Sequence, residues 1–343
     1  MSPQRPSTVF TDIDWARHGK QVGHAWLPHS GHDDAWGAVA LPLAVIGDGN
    51  GPTVLVTGAI HGDEYEGPIV INELIRSLDA SQVRGRLILM PAANAPALRA
   101  ASRVSPLDGK NLARVFPGNP FGTPTEQIAA FIHDVLFPRC DAYVDLHAGG
   151  SSLFIEESAQ VVVTPTLAPA VRERAEDMAR WFGAKFTVIT DNMGDPRTSC
   201  GAAAHLGLAA IAAEMGENGS VSPRGVKRTR ECLARVLARL GVVPGTLLDA
   251  PPASRRVRIV PHGGNLLSPG DGYFEPLHAL GDTVEAGAPA GYLHLLSEPT
   301  QVPREVRFAQ GGTVYSQRTF GIVKQGNNLC VLVEDEKKES AAA

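Results

Sequence analysis

His61 and Glu64 stand three residues apart among glycines in VLVTGAIHGDEYEGPIVINEL (Val54 to Leu74), directly after an apolar run. An imidazole and a carboxylate at this spacing can reach one divalent ion, and zinc held by nitrogen and oxygen ligands with an open position is a setting for hydrolysis. The same H-x-x-E also describes a polar turn between a strand and a helix, in which the histidine is only a hydrogen-bonded structural residue. A third ligand has to come from elsewhere. VDLHAGG supplies one in His147, followed by two glycines, and two histidines with a glutamate leave room for water. Asp145, two residues earlier on the same strand face, either orients a ligand histidine or caps the strand end. Water activated at such a centre needs a base, and AAIAAEMGEN offers Glu214 and Glu217. Glu214 is preferred because it adjoins an apolar strand of small residues directly, where a buried carboxylate needs a partner or a task.

The elements that must position these groups follow from periodicity. AVALPLAVIG and PTVLVTGAI are β-rich runs separated by DGNG, a turn signal, and read as neighbouring strands. From Tyr65 onward Ile71, Leu74, Ile75 and Leu78 recur at helical spacing. RLILMPA reads as a strand, TEQIAAFIHDVLF as a helix opened by Thr125, and CDAYVDLHAGG as a strand ending at His147. The alternation continues through a helix at LAPAVRERAEDMARWFG, strands at KFTVIT and LAAIAAEMG, and a helix at GVKRTRECLARVLARLG. Strands separated by such helices predict an α/β fold, a mostly parallel or mixed sheet covered on both faces. Ligands gather at the carboxyl ends of these strands, where His61, His147 and Glu214 fall. Gly58, Gly62 and Gly67 are expected to let backbone approach a bound group.

The proline-rich PGTLLDAPPASRR marks a boundary, giving a catalytic domain over 1–246 and a smaller β-rich, barrel-like domain over 247–335 with glycine-punctuated strands. The remainder, 336–343, is expected to be a disordered tail. A lipoyl- or biotinyl-type carrier needs an acceptor lysine at a hairpin tip; Lys324 is the lone lysine between Gly245 and Glu336. The tail domain is therefore expected to be structural, roofing the site or forming the contact of a homodimer.

Composition narrows the partners. The chain has 343 residues, 43% of them hydrophobic, enough to build a substantial core. A net charge of -5 from 31 basic and 36 acidic residues, well mixed, gives no pull toward nucleic acid or an anionic membrane. Small neutral or zwitterionic ligands suit it better. Cys140, Cys200, Cys232 and Cys330 lie far apart without a C-x-x-C pair, which argues against disulfides and a thiolate zinc site and for a cytoplasmic setting. No run reaches the roughly 18 to 20 apolar residues of a membrane span. Four histidines between His18 and His32 fit neither one helical face nor a zinc spacing, and read as an edge or loop.

GAIHGDEYEG, NAPALRAASRVSPLDGKNLARVFPG, DLHAGG and AAEMGEN, in this order, resemble the aspartoacylase and succinylglutamate desuccinylase family of zinc deacylases, relatives of the zinc carboxypeptidases. The resemblance covers roughly Val39 to Leu240, and the β-rich tail is similar to that family's C-terminal domain. It implies a zinc-carboxypeptidase-like fold and one zinc ion on His61, Glu64 and His147, with Glu214 as general base. It also implies that Arg103 polarises the scissile carbonyl and that Arg114 holds a substrate carboxylate. Where the family has N-L-N-R, this chain reads Asn111-Leu112-Ala113-Arg114, so carboxylate binding would be shared with Asn111, and a substrate other than acetylaspartate is implied. The chain most resembles the ectoine and hydroxyectoine degradation branch, which deacetylates N-α-acetyl-L-2,4-diaminobutyrate. The ammonium of that substrate calls for an acidic partner, with Glu217, Asp195 and Glu66 as candidates. An aspartoacylase or desuccinylase activity is the alternative, and a zinc-binding protein without catalysis the remoter one.

Overall fold

A long twisted sheet forms the frame of the molecule. The computed structural model describes residues 7–192, 195–216, 218–243 and 250–336. Its first strands are β1 (Phe10–Thr11), β2 (Gly19–Pro28), β3 (Ala38–Gly47), β4 (Thr53–Gly58), β5 (Arg86–Met90), β6 (Ala142–His147), β7 (Leu153–Ile155), β8 (Ser158–Val162), β9 (Phe186–Thr190), β10 (Ala209–Glu214) and β11 (Arg255–Ile259). They lie in the order β1-β2-β3-β5-β4-β6-β10-β8-β9-β11, with β7 off this path. The centre, β5-β4-β6-β10, is parallel. Antiparallel β3 on β5 and β8 on β10 make the sheet mixed, as the alternation of strand and helix predicts.

Both faces are covered, which explains why the central strands are apolar throughout. On one face Val54, Val56, Val144, Ile211 and Ala213 pack with α1 (Glu66–Ser77), α4 (Pro169–Phe182) and α6 (Pro223–Arg239) through Ile71, Phe182 and Leu233. On the other, Leu55, Tyr143 and Ala210 meet Ala95 of α2 (Ala95–Arg99), Ile128 of α3 (Pro124–Ala130), Phe131 and Phe137 beyond it, and Ala203 of α5 (Ser199–His205).

Two local expectations need correction. β3 and β4 are not neighbours, because β5 lies between them. The crossover from β4 through α1 returns β5 beside β4, and the free edge of β5 then takes β3, with Ala44 opposite Leu89. The turn between β3 and β4 folds over the start of β5, where the Gly49 N–H donates to the Gly85 carbonyl at 2.9 Å. The helix assigned to open at Thr125 is capped at Thr123, whose N–H donates to Glu126 at 2.8 Å. Thr125 sits inside the first turn and bonds Asp108. The histidine-rich stretch holds a ten-residue strand, β2, paired with β3 along its length and bordered by β1 alone.

The later strands are Asn265–Leu267, Gly272–Pro276, Thr283–Val284, Pro289–His294, Arg304–Arg307, Gly312–Arg318, Ile322–Val323 and Asn328–Asp335. Four of them form a separate sheet around Leu293, Val306 and Val323. β11 pairs with β9 on one side and Asn328–Asp335 on the other, and β7 pairs with Gly312–Arg318. The 246/247 boundary and residues 337–343 lie outside the described residues. Glu336 donates its N–H to Arg256.

Candidate active site

His61 reaches the site through a bend after β4. Ala59 takes the left-handed backbone conformation (φ 54°), and the loop is tied down by the N–H of Asn94 to Ala59 O at 3.0 Å and that of Gly62 to Ser102 O at 3.0 Å. A Cβ on Gly62 would lie 2.0 Å from the Ala97 carbonyl carbon, so only glycine lets the α2 backbone close on this loop. Gly58 and Gly67 likewise face Pro68 and Leu146. The close approach that these glycines permit is thus between parts of the protein, in place of the approach to a bound group expected from sequence.

The Nδ1 of His61 lies 2.7 Å from Glu64 Oε1, and the Nδ1 of His147 lies 2.8 Å from Glu64 Oε2. Their donor atoms fall within 4.8 Å of one another, the one such cluster of three among the described residues. The opposite ring nitrogens are also engaged. His61 Nε2 lies 3.1 Å from Asn111 Oδ1, and His147 Nε2 lies 3.0 Å from Asp145 Oδ2. When a metal takes the Nδ1 lone pair, an oxygen acceptor at Nε2 holds the remaining ring proton. Two imidazole nitrogens and a carboxylate converging in this way can hold a divalent ion. Asp145 is itself fixed by the hydroxyls of Thr57, at 2.7 Å, and Ser199.

The electrostatics of the cluster follow from burying a carboxylate between two imidazoles. Despite burial, the adjacent His61 and His147 hold Glu64 far below the usual carboxylate range. Burial outweighs Glu64 at His61 and lowers it, whereas Asp145 and Glu64 together overcome burial at His147 and raise it. Glu214 ends β10 directly opposite His147 in register. Its Oε2 is enclosed and lacks a hydrogen-bond partner. Burial and then the Glu64 carboxylate push its carboxyl up to about 8, so in the metal-free chain it holds a proton at neutral pH. Glu217 lies outside the described residues.

The remaining predicted residues fall around this group. Arg103 brings Nη1 to 3.5 Å from Glu64 Oε1. Asn111 caps the short turn Leu112–Arg114 through the N–H of Ala113, so its Oδ1 is shared between that N–H and His61. Arg114 is half-exposed, with Nη1 on the Ala113 carbonyl at 2.7 Å. Of the candidate acidic partners, Glu66 is buried at 1% exposure and accepts the Ser222 N–H, whereas Asp195 stands 3.8 Å from the Arg114 Nε.

Sequence reasoning missed what the β-rich region adds. The Tyr315 hydroxyl lies 2.7 Å from Ser158 Oγ and accepts from Gln160 at 3.2 Å. Ser158 faces Glu214 across β8 and β10, so this tyrosine reaches the face of the sheet that carries the site. Asp63 accepts the N–H and hydroxyl of Ser151, and Thr319 donates its N–H to Ser152 O at 3.1 Å, which clamps the loop after His147. GTVYSQR carries no signal beyond a β pattern.

Residues 50–240 match the family described as the succinylglutamate desuccinylase/aspartoacylase catalytic domain. The N-alpha-acetyl-L-2,4-diaminobutyric acid deacetylase of Halomonas elongata is 34% identical over 340 residues, 96% of each chain. A product-bound ectoine utilization protein from Ruegeria pomeroyi superposes with a TM-score of 0.91 at 35% identity, over 96% of this chain and 99% of that one. A succinylglutamate desuccinylase/aspartoacylase from Rhodobacter sphaeroides gives 0.89 at 34% identity, over 96% and 100%.

Proposed function

Because the chain belongs to the succinylglutamate desuccinylase/aspartoacylase family, we propose that it is a zinc-dependent amidohydrolase that removes acetate from N-α-acetyl-L-2,4-diaminobutyrate in ectoine and hydroxyectoine breakdown. The observation that carries the chemistry is the convergence of His61, Glu64 and His147 beside Glu214. The choice of substrate is supported by the deacetylase of Halomonas elongata. His61, Glu64 and His147 would hold one zinc ion, which when bound would supply a Lewis acid for water and the acyl carbonyl.

The protein's own groups do the rest. Glu214 takes a proton from water as the oxygen bonds to the acyl carbon, and returns it to the nitrogen as the C–N bond breaks, giving acetate and the free amine. Arg103 faces the negative charge that develops on the carbonyl oxygen. Arg114 pairs with the substrate carboxylate, and the Asn111 side-chain NH₂ is free to assist while its oxygen orients His61. No helix among the described residues is long and apolar enough to cross a membrane, and all four cysteines are free. The free cysteines fit the reducing cytoplasm in which we place the enzyme.

The direct test assays the zinc-loaded protein against N-α-acetyl-diaminobutyrate, its γ-acetyl isomer, N-acetylaspartate and N-succinylglutamate side by side. Highest kcat/KM for the first is expected; preference for either of the last two overturns the substrate while keeping the deacylase. Asp145 provides a second check. Asp145→Asn weakens the acceptor at His147 Nε2 and is expected to lower zinc affinity by about 10- to 100-fold. Competition with a chelator reads this, and unchanged affinity rules out that role.

A further inference from the structure

A line of charges leads away from the histidine cluster: Glu64, Arg103, Arg114, Asp195, Arg197. Arg103 stands 3.5 Å from Glu64. Burial and then the nearby Arg103 charge disfavour the Arg114 guanidinium, so the two cations lie within each other's field. Asp195 Oδ2 lies 3.8 Å from Arg114 Nε, and the same carboxylate takes Arg197 in a fork, Nε at 2.8 Å and Nη2 at 3.0 Å. The segment is pinned at two points after Asp195. The Phe116 N–H donates to Arg197 O at 3.2 Å, and Ser199 binds Asp145 behind His147. Side-chain exposures of 48% for Arg114, 26% for Asp195 and 61% for Arg197 leave the row open to a solute.

Three guanidiniums near one mouth would draw any substrate with two carboxylates. We propose that Asp195 sets the charge selectivity of this site, placing a fixed carboxylate between Arg114 and Arg197 that repels a second substrate carboxylate and receives a substrate ammonium. The inference rests on the reading of the protein as an N-acyl amino acid deacylase. A like charge built into a site discriminates by penalising the wrong ligand as much as by holding the right one. Glu66 cannot serve, being enclosed and bonded to Ser222.

The test uses the zinc-loaded full chain and its Asp195→Asn and Asp195→Ser variants. Turnover is measured on N-α-acetyl-diaminobutyrate, N-acetylaspartate and N-acetyl-2-aminobutyrate, the last lacking any side-chain charge. Calorimetry with L-2,4-diaminobutyrate, L-aspartate and L-2-aminobutyrate reads binding without turnover. Both variants are expected to lose about tenfold in kcat/KM for the ammonium substrate, chiefly through KM, to gain on N-acetylaspartate, and to leave the neutral substrate within about twofold. The amine ligands should change preference in the same sense. An equal change on all three substrates, which mere propping of Arg114 would give, or an unchanged preference in both assays overturns the proposal. A wild-type chain that turns over none of them but prefers diaminobutyrate to aspartate, losing that preference in the variants, would overturn the deacylase reading alone.

Discussion

Glu214→Gln is expected to keep one zinc per chain and to lower kcat by about 10²- to 10⁴-fold, the range for removing a general base. The substitution is close to isosteric, and the Oε2 it replaces has no hydrogen-bond partner to lose. What it removes is the ability to accept a proton. Burial and Glu64 hold the carboxyl up at about 8 in the metal-free chain, and a divalent cation among the neighbouring ligands acts in the opposite sense, favouring the carboxylate. Metal binding therefore favours the basic form at neutral pH, and the glutamine loses it in every state. Elemental analysis and steady-state kinetics on the same preparation separate the two effects. Normal turnover would remove Glu214 from the chemistry, and loss of zinc with loss of turnover would make it a ligand.

The positions of these groups were legible in the sequence to different depths. His61, His147 and Glu214 announced themselves because each ends an apolar run, and in a parallel sheet such ends lie along one edge. Their pairing was not legible. β6 brings His147 beside Glu214 through registers that no local pattern encodes, just as DGNG signalled a turn but not that β5 would enter between β3 and β4. Glycines near His61 suggested space for a ligand, yet Gly62 serves the backbone at Ala97; the conformational freedom was readable, and its beneficiary was not. Asn111 stood out as a possible carboxylate partner, and contact with His61 adds a use that only three-dimensional proximity reveals. Tyr315 lies 157 residues from Ser158, a separation over which no spacing argument operates.

His61→Ala is expected to lower zinc affinity by more than about 100-fold, beyond the loss from changing a residue that only orients a ligand. Two ligands remain, His147 and Glu64, and Glu64 keeps its bonds to His147 Nδ1 and to the Ala148 N–H at 3.2 Å. The alanine leaves Glu64 Oε1 enclosed, with Arg103 Nη1 at 3.5 Å. The metal-free variant should consequently lose about 1 to 3 kcal/mol of stability through the missing charge-assisted hydrogen bond. Binding of zinc to the native state raises the melting temperature as the free ion exceeds its dissociation constant. The wild-type chain should show that rise and the alanine variant almost none at the same concentration. The paired experiment distinguishes a ligand from a structural histidine. A polar-turn role predicts the stability loss alone, with zinc still bound at one per chain, and that result would rule out the His61–Glu64–His147 centre.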